Sequence, residues 1–166
     1  MNEDTKIAVY SRNDLPERVR MEVAALLQDR LADCIDLKLQ AKQAHWNVKG
    51  PNFIALHELF DEIAEETEAY VDLIAERIVQ FGGVAEGTVR AVAARSSMPE
   101  YPLATIHWHK HVEELSHALA YFGELARQAI ERATKLADAD TADIFTEISR
   151  GIDKYLWMVE AHLQEG

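Results

Sequence analysis

Proline and glycine are scarce in this chain, and most of them fall near residue 16, at residues 50–51 and over residues 82–102. The chain has 4 prolines and 7 glycines among 166 residues. Between the clusters, apolar residues recur at three- and four-residue spacing, the period of an amphipathic helix. Leu15-Pro16-Glu17 opens the first run, with Val19, Val23, Leu26, Leu27, Leu31, Cys34 and Ile35 along it, and the run reaches about Asn47. Gly50-Pro51-Asn52 is a stop-and-restart signal. Glycine ends a helix, proline cannot continue it, and asparagine can cap the next. A second helix is expected over residues 53–81, closed by Gly82-Gly83. Residues 84–102 hold Gly87, Ser96-Ser97, Pro99 and Pro102 and read as a crossover with a short helix over residues 88–94. A third long helix is expected over residues 104–136. A fourth is expected to run to residue 163, capped by Asp140 or Thr141. No strand pattern appears. Four long helices, two short connections and one long crossover predict an all-α fold, a ferritin-like four-helix bundle. It forms a single domain over residues 1–166, with residues 1–14 as a flexible N-terminal tail.

Composition narrows the function. The formal net charge is −12, which disfavours nucleic acid, since Lys and Arg must neutralise phosphate, and favours cations. Cys34 is the only cysteine, so neither a disulfide framework nor a cysteine-based zinc site is available. No apolar run approaches the roughly 18 residues of a membrane span. The opening stretch MNEDTKIAVYSRNDLP lacks an apolar signal core, so a cytoplasmic location is the default.

The charge is concentrated in HELFDEIAEETEAYVDLIAE, residues 57–76, where 8 of 20 residues are acidic and no base appears. Like charges at i,i+4 destabilise a helix, so a missing cation is implied. At about 100° per residue, His57, Asp61, Glu65, Glu68, Asp72 and Glu76 share one stripe, roughly 140° around the helix from the apolar face of Leu56, Phe60, Ile63, Tyr70, Val71, Ile74 and Ile78. Carboxylates of a di-iron site inside one bundle would point inward instead. The single Glu-x-x-His, Glu114 to His117, is a chance match on this reading.

At the two ends of the stripe lie the i,i+4 pairs His57/Asp61 and Asp72/Glu76. Their midpoints are about 22 Å apart along the helix, too far to share an ion. A second copy laid antiparallel, with a two-fold axis near Glu66-Thr67, sets His57/Asp61 of one chain against Asp72/Glu76 of the other, twice. His45 lies as far before Pro51 as His57 lies after it, so the two histidines sit level across the hairpin. Imidazole with carboxylate suits Fe(II), Zn(II), Mn(II) or Co(II), and spacing does not choose among them. The bland alternative is a solvated acidic face with capping histidines.

KQAHWNVKGPNFIALHELFDEIAEETEAYVDLIAERI resembles the signature of the Dps family of bacterial mini-ferritins, and TADIFTEISRGIDKYLWMVEAHL resembles that family's last helix. The resemblance implies a homododecameric cage. In it, a ferroxidase oxidises Fe(II) with hydrogen peroxide, or more slowly O₂, at inter-subunit di-iron sites and stores ferric mineral. The implied catalytic and metal residues are His45, His57, Asp61, Asp72 and Glu76, with two irons per site and Zn(II) as a competitor. Trp46 beside the first histidine would pack at the site or intercept oxidising equivalents. Glu65, Glu66 and Glu68 are candidates for mineral nucleation. Asp138, Asp140 and Asp143 would line a three-fold pore, with ordinary helix capping as the alternative.

Secondary candidates lie in IHWHKH, where His107 and His111 stand at i,i+4 and read either as an exposed, pH-responsive face or as an accessory Zn(II) or iron site; His109 points elsewhere. His117 and His162 have no evident partners. Members of the family often hold DNA through a basic tail, but residues 1–15 here offer Lys6 and Arg12 against Glu3, Asp4 and Asp14. DNA binding is therefore not expected, and a non-enzymatic, DNA-binding nucleoid protein on the same scaffold is the alternative function that the tail argues against.

Overall fold

A computed structural model describes residues 8–164. Five helices follow in order: α1 (Glu17–Asn47), α2 (Phe53–Gln80), α3 (Val89–Arg95), α4 (Trp108–Lys135) and α5 (Ala139–Glu160). The four long helices form the expected bundle, with α1 against α2, α4 against α5, and α3 lying across α1. The predicted apolar stripes meet in one core, where Leu27, Leu31, Leu37, Phe60, Ile63, Ile74, Leu115, Phe122, Phe145 and Ile148 are almost fully buried. Cys34 is buried among them with its thiol near the Thr67 carbonyl, and burial pushes its pKa up, so it behaves as a core residue. Among the described residues no helix is long and apolar enough to cross a membrane.

The crossover is held to α1 by polar side chains that replace missing secondary structure. Gln28 brackets Glu86, accepting from its amide at 3.0 Å and donating to its carbonyl at 2.9 Å. Asp33, fully buried and paired with Arg30, accepts from both the amide and the hydroxyl of Ser97. Buried backbone groups need such partners when no ladder supplies them.

Helix α4 begins at Trp108 rather than residue 104. The Lys49 amide donates to the Ile106 carbonyl, and the Trp108 amide donates to the Lys49 carbonyl, both at 2.9 Å. This parallel bridge keeps residues 105–107 extended and ties the α1–α2 turn to the start of α4. Trp108 closes over Gly50, whose φ is 138°, and a Cβ there would stand 2.4 Å from Trp108 Cδ1. Gly50→Ala is therefore expected to destabilise the fold by about 1–3 kcal/mol, the cost of a side chain in a glycine-only region. A thermal melt at fixed protein concentration measures it, and an unchanged midpoint would show that the turn does not depend on this glycine.

The N-terminal tail departs from expectation over its described part. The Ala8 and Val9 amides both donate to the Gly82 carbonyl, at 2.8 and 3.1 Å, and Ser11 Oγ donates to the Gln80 carbonyl. Residues 8–11 are thus strapped across the end of α2, where the Gln80 carbonyl of the last turn and the Gly82 carbonyl just past it have no helical donor. The rest of the expected tail, residues 1–7, lies outside the described residues.

The cap of α5 also differs. It is Asp138, whose carboxylate accepts from the Thr141 amide at 3.2 Å, and not Asp140 or Thr141.

Candidate metal centre

His45 lies in the last turn of α1 and His57 in the second turn of α2. The hairpin brings them level, as the spacing about Pro51 predicts. Their rings stack with centroids 3.8 Å apart and planes 18° apart. Each Nδ1–H donates to the other residue's backbone carbonyl, His45 to His57 O at 2.7 Å and His57 to His45 O at 2.8 Å. The reciprocal bonds set both tautomers and leave the lone pair on Nε2 of each ring. A backbone-anchored N–H is the usual support of a metal-binding histidine. The bond to His45 O also satisfies a carbonyl at the end of α1 that has no helical donor.

Asp61 stands one turn beyond His57 and is held by Lys42 Nζ at 2.5 Å. That bond, with the nearby histidines, keeps the Asp61 carboxyl below its ordinary pKa. The structure therefore supplies cations that reading α2 alone did not anticipate. Lys42 and Lys38, both on α1, pair with Asp61 and Glu68, each at 2.5 Å. Asp72 and Glu76 are exposed on the same face of α2, about 16 Å and more beyond Asp61. Among the described residues, no three His, Cys, Asp or Glu side chains come together closely enough to hold a metal. One chain thus brings His45, His57 and Asp61 to one end of α2 and leaves Asp72 and Glu76 towards the other.

The ends of the stripe carry exposed apolar residues beside the acids. Ile54 and Val79 fall at about 60° and 40° on the same wheel, and they are 59% and 56% exposed. Val79 lines a groove of ≈ 420 Å³ with Ala75, Glu76, Gln80 and Ala85. At the histidine end, Trp46 is 63% exposed and the Phe53 ring lies 5.1 Å from that of His57, tilted by 31°. The helical spacing of Ile54 and Val79 with the acids was the available signal.

The secondary candidates separate. His107 is exposed and precedes the first turn of α4, whereas His111 is fully buried and hydrogen-bonded through Nδ1 to the Tyr101 hydroxyl at 2.6 Å. Burial lowers the His111 pKa, and its Nε2 has no partner. The two rings do not form an exposed pair, because the bridge at Lys49 turns this end of α4 into the protein. His109 and His117 are exposed, and His162 Nδ1 donates to the Met158 carbonyl.

Asp138 is 2% exposed and engaged by Arg77 at 2.8 Å, so of the three proposed pore acids only Asp140 and Asp143 face outward. Of the candidate nucleation residues, Glu65, Glu66 and Glu68 are all exposed, with Glu68 taken by Lys38 and Glu66 beside Tyr70.

A ferritin-like domain model matches residues 24–166. The "DNA protection during starvation protein" of Agrobacterium fabrum is 43% identical over 155 residues, covering 93% of this chain and 96% of its own. The structure of Mycobacterium smegmatis Dps superposes with a TM-score of 0.90 at 32% identity, covering 95% of each chain. That of Dps from Microbacterium arborescens "in the high iron form" gives 0.85 at 30% identity, covering 95% of this chain and 100% of that one. A four-helix bundle with a short crossover helix, a histidine pair locked across the first hairpin, and relatives of this similarity over nearly the whole length together make the chain a member of the Dps family of ferritin-like proteins.

Proposed function

We propose that this chain is a ferroxidase and iron-storage protein whose oxidation sites form between subunits. The observation that carries the reading is the reciprocal locking of His45 and His57 near Asp61, in a chain whose described residues gather no complete metal-binding group of their own. Asp72 and Glu76 of a second copy complete the set, in a two-fold arrangement within a dodecamer. Fe(II) is the substrate. Two Fe(II) held together each give one electron to one hydrogen peroxide, which takes up two protons and leaves as two waters. No hydroxyl radical is released, as it would be in one-electron chemistry. Carboxylates favour the Fe(III) product by charge, and hydrolysis yields mineral that collects within the cage. The exposed Asp140 and Asp143 are candidates to draw Fe(II) in, and Zn(II) would compete for the site.

The relatives' names speak of DNA protection. For this chain we read that protection as chemical, by removal of iron and peroxide. The net charge of −12 opposes a phosphate-binding surface. Tight gel-shift of duplex DNA at low salt would favour the nucleoid-protein reading instead.

The test is the stoichiometry of Fe(II) oxidation by the purified full chain, with peroxide and O₂ supplied separately. Two Fe(II) consumed per peroxide, faster than with O₂, is expected. Anomalous scattering from iron-soaked crystals should place iron beside His45 and His57 at a two-fold interface. Iron inside a single bundle, or oxidation no faster than in buffer, would defeat the reading.

A further inference from the structure

The strap at residues 8–11 presents a physical puzzle. Ordering a chain segment costs backbone entropy. This one is held by bonds to Gly82 and Gln80, yet Val9 is 60% and Tyr10 86% exposed. The strap also ends beside the apolar groove, since Gln80 both lines the groove and accepts from Ser11. Val79, Val84, Val9 and Tyr10 thus leave a run of large apolar side chains exposed around the end of α2. Such patches mark interaction surfaces.

Charge identifies the occupant. In a chain with net charge −12, residues 78–85 contain no Asp, Glu, Lys or Arg, and neither do residues 7–11 or 50–57. The two ends of α2 are therefore neutral and apolar, and only its middle is acidic. The antiparallel pairing that sets His57 against Glu76 and Asp61 against Asp72 also sets Ile54 against Val79, Phe53 against Gln80 and Pro51 against Gly82. The neutral end of one copy meets the opposite neutral end of the other. Gly82 is where Val9 is pinned.

We infer that residues 8–11 belong to the surface on which two copies of this chain meet, with Val9 and Tyr10 seated against the second copy's α1–α2 turn at residues 50–54. The inference rests on the two-copy reading of the oxidation site and extends it. The strap clasps the turn that carries the histidine pair, so the apolar contact flanks each site and excludes water from it.

Cross-linking of the full chain tests this. Helix α2 has 28 residues, about 42 Å, so positions 9 and 52, at its opposite ends, cannot be bridged within one chain. The Val9→Cys plus Asn52→Cys variant, treated with a short bis-maleimide, is expected to give a covalent dimer on a denaturing gel, and neither single variant should. Cys34 is buried and should stay silent. Ile54→Cys plus Val79→Cys is the control for the α2–α2 contact. If the control cross-links and the 9/52 pair does not, the strap lies outside the interface and the inference fails while the two-copy reading stands. If neither cross-links, both fail. Tyr10→Ser is further expected to raise the protein concentration for half-assembly by about tenfold or more, as loss of an aromatic anchor does, with helicity unchanged. Unaltered assembly would overturn the inference.

Discussion

Replacing His45 and His57 together with alanine is expected to lower the initial rate of peroxide-dependent Fe(II) oxidation by more than about 100-fold. Loss of an outer-shell partner alone costs about 10–100-fold at metal sites, and here the ligands themselves are removed. The fold should survive, because both rings are only half-buried and the apolar contacts between α1 and α2 lie on other residues. The single variants distinguish ligation from packing. His57 satisfies the otherwise unpaired carbonyl of His45 near the end of α1, whereas His45 donates to a carbonyl inside α2. His57→Ala should therefore cost about 0.5–1.5 kcal/mol of stability, and His45→Ala less. Stopped-flow oxidation and thermal melts on the same samples measure both. Rates that follow the stability loss, with His45→Ala nearly as active as the parent, would show that the pair is a helix-end clasp and not a ligand set.

The largest stability effect is expected at the far end of α2. Arg77 donates to Asp138 at 2.8 Å, to Thr141 Oγ1 at 3.1 Å and to Gln80 Oε1 at 3.1 Å, and its guanidinium lies 4.4 Å from the centre of the Phe81 ring. Asp138 in turn accepts from the amide and hydroxyl of Thr141 and so caps α5. Both members of the ion pair are more than nine-tenths buried. Arg77→Met leaves a buried carboxylate without its cation, at a cost of about 3–5 kcal/mol. At about 2–4 °C per kcal/mol for a chain of this size, the melting midpoint should fall by roughly 10 °C. Adding Asp138→Leu removes the stranded charge, so the double variant should recover part of the loss, less the missing cap of about 1 kcal/mol. The loss should be nearly independent of salt, because a buried pair is poorly screened. A fall below about 1 kcal/mol would mean that water reaches the pair. Measurement at one protein concentration is needed, since assembly itself shifts the midpoint.

Whether a feature could be read from sequence follows from how local its cause is. The limits of α2 were legible because glycine and proline act on their own neighbours. The level placement of His45 and His57 was legible because two helices joined by a tight turn run alongside each other for the first few turns. The charged partners were not. Lys42 reaches Asp61 and Lys38 reaches Glu68 only once the rotation of α1 about its axis is set, and the core sets that rotation. His111 reads as a surface histidine until the Lys49 bridge fixes where α4 begins. Asp138 reads as one of three equivalent acids until Arg77, on a different helix, selects it.

Periodicity, punctuation and the acidic stripe thus determined, from sequence alone, a bundle of four long helices and the face on which its histidines and acids lie. These depend on the 3.6-residue repeat and on backbone sterics, which act within a few residues. Tertiary structure decided which ring nitrogens of His45 and His57 are tied to backbone carbonyls, which acids are already paired, and that residues 8–11 lie strapped against the end of α2. Each of these depends on atoms brought together from distant parts of the chain, and packing of the apolar faces is what sets their distances.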